Sequence, residues 1–241
     1  MKKIQCLVLM TFCLFQVSTS AGSASNTHLI DAGGLYLLIP IPDDFVNAKQ
    51  KFPSAWEALH NVKVGNTELV GLFVGKRALK ALREGRTQKL TPYITVRYPL
   101  ENEGGRVSQQ SFDQLRLGMR PMVRRPSVTF SDARLKESLV ALSNSFGADP
   151  NARSKLLIDQ PAHMSIDADT KDRFIYTQLA TVQSSIANDT LIMPMVATSA
   201  LMFIQGKVLQ LSLCNEVSNP GIVELNRRTL MALISQTIKI N

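Results

Sequence analysis

The chain has 241 residues, 45% of them hydrophobic, and a formal net charge of +8. That length is enough to bury a core of its own, and it reads as one domain rather than two. Of its three cysteines, Cys6 and Cys13 fall in a leader expected to be removed, so Cys214 alone remains and an internal disulfide is excluded.

The leader is read from three features. Lys2 and Lys3 precede an apolar run over residues 4–17, and small residues follow over 18–24. A basic start, an apolar middle and a small-residue zone make a secretory signal peptide. A membrane span needs about 20 apolar residues, and this run is shorter. Residues 1–24 are therefore expected to be cleaved, which leaves a single domain over 25–241 in a periplasmic or secreted compartment. The domain stays moderately basic after that cleavage, which suits anionic lipid, glycan or acidic protein as a partner. Cys214 is expected to be a small buried strand residue.

In chain order, residues 28–34 read as an unstructured lead-in ending in Gly33 and Gly34. Residues 35–39 form a short strand, stopped by the proline-rich segment 40–44. Residues 53–59 predict a brief helix in which Trp56 plugs the core. A second strand covers 68–74. A basic helix follows over 76–84 and is closed by Gly85. Residues 92–98 alternate and make a third strand. Ser111 is the expected cap of a helix with the apolar stripe Phe112, Leu115 and Met119, and Pro121 and Pro126 bracket an irregular connection. Ser131 and Asp132 open a longer helix that carries Leu135, Leu139 and Leu142 and ends at Gly147. Strand character returns over 156–183, best at 173–182, with residues 167–172 as the polar turn before that run.

The last fifty residues are the most regular. Leu209, Leu211 and Leu213 alternate with Gln210 and Ser212, the period of a half-buried strand. Residues 201–204 are apolar on both faces, and Gln205, Gly206 and Lys207 join the two strands as a hairpin. Pro194 predicts an edge or bend over 191–195. Asn219 and Pro220 predict a cap and first turn. The helix after them carries Ile222, Leu225, Thr229, Leu230, Leu233 and Ile234 on one stripe, with Arg227 and Arg228 facing water. Mixed elements followed by a meander and a closing helix predict an α+β fold. Its sheet is largely antiparallel, helices pack on it, and a β-hairpin and an amphipathic C-terminal helix end it.

The run 201–216, the Asn219–Pro220 break and the helix to Ile238 resemble the closing module of PsbP-like (Mog-like) α/β/α sandwich domains. The short strand running into a proline and aromatic segment over 35–45 resembles their opening. The resemblance implies a small, secreted, non-enzymatic protein that binds partners or assists assembly. It carries over no site residue.

Searching for chemistry excludes several classes. Gly71, Gly75 and Lys76 lack the spacing of a phosphate loop, and Arg77 stands where Ser or Thr would hold magnesium. There is no G-x-S-x-G elbow and no H-E-x-x-H motif. His28, His60 and His163 share no ligand spacing, and Asp167, Asp169 and Asp172 lack the glycine and distal glutamate of a calcium loop. No catalytic residue, metal or cofactor is expected.

What remains is basic. Lys76, Arg77, Lys80, Arg83, Arg86 and Lys89 oppose only Glu84, and a second cluster holds Arg116, Arg120, Arg124 and Arg125. On a helix Lys76, Lys80 and Arg83 share a face while Leu79 and Leu82 point to the sheet. Lys76, Arg77, Lys80, Arg83, Arg86, Arg120 and Arg124 are thus the candidate contacts to an acidic envelope protein or an anionic membrane surface. Nucleic acid is a poor fit to a secreted chain with few aromatics near these clusters. The alternative reading is a hydrolase or small-ligand protein whose site is assembled from dispersed residues.

Overall fold

The computed structural model describes residues 26–60, 67–84, 91–99, 105–124, 155–158, 163–186 and 189–241. The leader at 1–24 and the helix expected over 131–147 lie outside the described residues. The first elements are β1 (Asn26–Asp31), β2 (Tyr36–Ile41), β3 (Phe45–Asn47), α1 (Ala48–Lys51), α2 (Pro53–His60) and β4 (Thr67–Gly75). Then come α3 (Lys76–Arg83), β5 (Tyr93–Pro99), α4 (Gln109–Arg124), β6 (Lys155–Ile158) and β7 (His163–Asp169). Strands β8 (Arg173–Ile186), β9 (Asp189–Ile204) and β10 (Lys207–Glu216) lead into α5 (Gly221–Ile240).

Eight strands form one sheet in the order β3-β4-β5-β10-β9-β8-β6, with β7 also paired to β8, while β1 and β2 make a separate hairpin. Every pairing among the described residues is antiparallel. Alternation decides what each face of the sheet meets. Phe73, Ile94, Val96, Leu209, Leu211 and Leu213 join Leu230, Leu233 and Ile234 of α5 and Leu37, Ile39 and Ile41 of the hairpin in the main core. On the opposite face α1, α2 and α3 cover β4 through Ala48, Leu72, Val74 and Leu79. Helix α4 covers the β8–β9 side through Phe112 and Val123 against Phe174, Tyr176 and Leu201. The result is an α+β fold in three layers.

Several elements differ from the sequence reading for identifiable reasons. The lead-in is partly strand: β1 pairs with β2 along its length and buries Ile30, a long-range gain that local composition does not announce. Strand β2 continues through Pro40, which is tolerated because β2 has one strand neighbour. Trp56 is half-buried and stacks on His60 at 5.1 Å, because the short α2 lies beside the satellite cluster over β4 rather than over the main core. The cap of α4 is Ser108, whose Oγ accepts the Ser111 N–H at 3.1 Å. That helix runs through Pro121, and Leu115 is exposed.

The closing module keeps its outline and shifts in detail. Residues 191–195 belong to β9 and pair with β8; Pro194 sits just beyond the last β10 partner, Met195, so no β10 ladder bond needs its missing N–H. Gln205 and Gly206 have φ of 51° and 79° and make the two-residue hairpin turn, which places Lys207 in the strand. Helix α5 starts one residue later than the cap motif predicts. The Asn219 carbonyl accepts the Ile222 N–H, while the Asn219 side chain turns to Ser218. The buried stripe is Asn226, Leu230, Leu233, Ile234 and Thr237, and Leu225 is exposed. Asn226 holds its place by donating to the Leu213 carbonyl at 2.8 Å and the Thr198 hydroxyl at 3.2 Å.

Residues 163–169, read in part as turn, are strand β7, and the turn is confined to Thr170–Asp172. The register against β8 slips between Ile166 and Ala168, which leaves Asp167 as the extra residue of a β-bulge. Two carboxylates that strict alternation would put on one face therefore go to opposite faces.

Gly33 and Gly34 turn the β1–β2 hairpin with φ of 63° and 83°. Alanine at either position meets the left-handed penalty of about 1–2 kcal/mol. A Cβ at Gly33 would also run into the Tyr98 ring, whereas a Cβ at Gly34 meets nothing within 4 Å. Gly33→Ala is therefore expected to lower the urea midpoint clearly more than Gly34→Ala. Equal losses would remove Tyr98 from the explanation.

Candidate functional site

The basic helix forms where the sequence predicts it. Ala78 and Leu79 are buried against β4, and Lys76, Arg77, Lys80 and Arg83 are exposed. The Lys76 N–H donates to the Asp44 carbonyl and the Arg83 guanidinium to the Lys51 carbonyl, so α3 is tied at both ends to the β3–α1 segment. Between those ties lies an open hollow of about 420 Å³. Its floor is Val46 and Leu79; Lys51, Lys76, Lys80 and Arg83 ring it, with Glu84 the one acid. Lys51 comes from α1 and escapes a reading of the 76–89 run alone. Lys80 and Glu84 approach at 3.9 Å, both well exposed, a pair that contributes little to stability. Arg86 and Lys89 lie outside the described residues.

Two arginines of the second basic cluster are tied into the fold. Arg116 and Arg120 of α4 both bond the Asp169 carboxylate, and Arg116 also reaches Asp113 at 2.6 Å. The Arg116 and Asp169 side chains are only 12% and 16% exposed, so this network fastens α4 to β7. Arg116 and Arg120 are thus engaged within the fold by Asp169. Arg124 ends α4 with its side chain outside the description, and Arg125 is also outside. On the other face of the sheet, Asp167 accepts from Ser165 and Thr177 and pairs with Arg227 at 3.2 Å. Arg227, read as facing water, is thus half-buried and fastens α5 to β7, because the bulge turns Asp167 toward it. Asp167 and Asp169 serve as anchors for arginines rather than as a cation loop. Among the described residues no group of three or more His, Cys, Asp or Glu is placed to hold a metal.

The histidines do not converge. His28 lies 4.8 Å from Phe73, where burial holds its pKa below the ordinary value. The His60 Nδ1 meets the Leu69 carbonyl at 2.9 Å. His163 is in β7, its side chain outside the description.

One constellation was not singled out in the sequence. On the face that carries α1 to α4, β5 presents Tyr93, Thr95 and Arg97, and β10 sets Cys214, Ser212 and Gln210 directly opposite them. Ser212 bonds Ser199 of β9 at 2.8 Å and extends this polar band. Arg97 is 8% exposed, and its Nη1 donates to no acceptor. Burial holds the Arg97 pKa below its ordinary value, and the nearby Tyr93 and Cys214 act in the opposite sense. Cys214, expected to be buried, is half-buried by exposed area; burial pushes its thiol up to about 11, against the opposing effects of a Tyr93 hydrogen bond and the Arg97 charge. The alternation Tyr93-x-Thr95-x-Arg97 was the available signal, but its partner strand is more than a hundred residues away.

No protein-family model matches the chain, and no curated protein does. Among solved structures it is similar to the Saccharomyces cerevisiae Ran-binding protein Mog1p, with 13% identity and a TM-score of 0.32. The alignment covers 89% of this chain and 93% of that one.

The Asp169 network carries a pH signature. Burial opposes ionisation of Asp169, but hydrogen bonds and charge from Arg120 and Arg116 outweigh it and hold the pKa below 3.8. A depressed carboxylate pKa contributes stability above the unfolded value, and that stability is lost as pH falls through the folded one. Asp169→Asn is expected to destabilise by about 2–4 kcal/mol at pH 7, as when a largely shielded pair is broken. The gap to the parent chain should shrink toward pH 3 in urea titrations. A gap independent of pH would show that packing, not charge, accounts for it.

Proposed function

We propose that the chain is a non-enzymatic binding module of the cell envelope, secreted or periplasmic, and that the α3 face docks an acidic partner protein. The observation that carries this reading is the hollow between α1 and α3, where four cations ring an apolar floor. Its curvature favours a protruding peptide segment over a flat lipid surface. Carboxylates would meet Lys51, Lys76, Lys80 and Arg83 while an apolar side chain rests on Leu79 and Val46. Such charge complementarity raises the association rate and fixes orientation, and it weakens with salt. The signal-like leader supports the compartment. Arg116 and Arg120 are left out of the docking face because Asp169 already engages them.

The test is photo-crosslinking in cells from position 80, with identification of the product by mass spectrometry. A dominant acidic partner is expected, lost when Lys51 and Lys76 are reversed to Glu. These two exposed substitutions should change stability by no more than about 0.5 kcal/mol. An unchanged product pattern in the reversed chain would sink the proposal. Charge-dependent binding to phosphatidylglycerol vesicles without a protein product would replace it with a membrane-surface role.

A further inference from the structure

The polar band on β5 and β10 contains an unpaired cation in a place where solubility does not require one. Arg97 is nine-tenths buried, no carboxylate pairs with it among the described residues, and Nη1 lacks an acceptor. A shielded guanidinium without a counter-charge is costly in a folded chain, and the cost falls once an anion supplies acceptors. The neighbouring positions on this face of the two strands are polar. Tyr93 and Cys214 are cross-strand partners, as are Thr95 and Ser212, and Gln210 lies opposite Arg97. Tyr93, Thr95, Gln210 and Cys214 are each half-buried.

We propose that Arg97, on the same sheet face as Tyr93 and Cys214 further along the paired strands, is a binding site for a single carboxylate group. One guanidinium matches one negative charge and grips a carboxylate with two parallel hydrogen bonds. A doubly charged phosphate would find only one cation here, with hydroxyl, thiol and amide groups around it. The carboxylate belongs either to a small free acid or to a Glu or Asp side chain of a docked protein. The site is separate from the α3 hollow and does not depend on the role proposed for it.

Cys214 provides the probe. In mildly alkaline buffer, the full chain is treated with iodoacetate, which carries a carboxylate, or with its neutral counterpart iodoacetamide. In both cases the thiolate sulfur forms an S–C bond as iodide leaves, and peptide mass spectrometry follows Cys214 alone. Arg97 is expected to make iodoacetate react several times faster, relative to iodoacetamide, than it does with free glutathione. Arg97→Gln should remove that preference and Arg97→Lys should retain part of it. On the unaltered chain, excess acetate should slow iodoacetate selectively, which keeps the test valid if the Gln variant fails to fold. Protection by acetate identifies a small free acid as sufficient, and protection only by a glutamate-rich peptide identifies a protein side chain. A reagent preference no greater than that of glutathione, with no protection by either competitor, overturns the proposal.

Discussion

The three layers of this fold are held in register by one irregularity, the bulge at Asp167. Strict alternation would send Asp167 and Asp169 to the same side of β7. The extra residue separates them, so that Asp167 meets Arg227 of α5 and Asp169 meets Arg116 and Arg120 of α4. A helix on each side of the sheet is thereby fixed to the same strand. Hydrophobic burial alone holds helices against a sheet but is non-directional. These ion pairs carry direction: the Asp169 pair is well shielded, and the Asp167 carboxylate also takes hydroxyl donors. Bulges re-aim side chains in this manner without ending the pairing of a strand.

The same interactions divide the basic residues into two populations. Arg116, Arg120 and Arg227 have carboxylate partners within the fold. Lys51, Lys76, Lys80 and Arg83 surround an open hollow with one acid among them. Net charge alone therefore overstates how much of the surface is available for attraction. Among the described residues the α1–α3 corner gathers four exposed cations, and the hollow there gives their field a shape as well as a sign.

How much of this was legible in the sequence depended on the range of the interaction. Strand β10 was readable because Leu209, Leu211 and Leu213 declare their face locally. The α3 helix was readable because Lys76, Lys80 and Arg83 fall on helical spacing while Leu79 opposes them. Strand β1 was missed because Asn26–Asp31 is largely polar and only its pairing with β2 gives it a structure. Asp167–Asp172 was read as turn because acids are poor strand formers, and nothing nearby reveals the arginines that stabilise two of them. Arg227 was assigned to water for the same reason. The stripe of α5 shifted from Leu225 to Asn226 because buried hydrogen bonds to Thr198 and Leu213 select the latter. In the candidate site the cations of α3 were legible, while Lys51 and Arg97 needed the tertiary contacts.

Strands β5 and β10 also record which side of the sheet has an apolar cover. Their residues facing α5 and the hairpin are Ile94, Val96, Tyr98, Leu209, Leu211 and Leu213, all buried. Between the buried Val208 at one end and the strand ends, their alternate residues are Tyr93, Thr95, Arg97, Gln210, Ser212 and Cys214, each with a polar atom. On that side the described helices make their apolar clusters over β4 and the β8–β9 side, and these meet β5 and β10 at Tyr93 and Val208. A sheet face packed by an apolar helix would favour Val, Ile or Leu at such positions. An arginine there instead brings a positive charge to the middle of the sheet, where a hydrocarbon cover would worsen its desolvation and an anion would relieve it. The composition of the band therefore argues against a wholly apolar covering. It favours a polar occupant, and Arg97 fixes the sign of the charge that occupant brings.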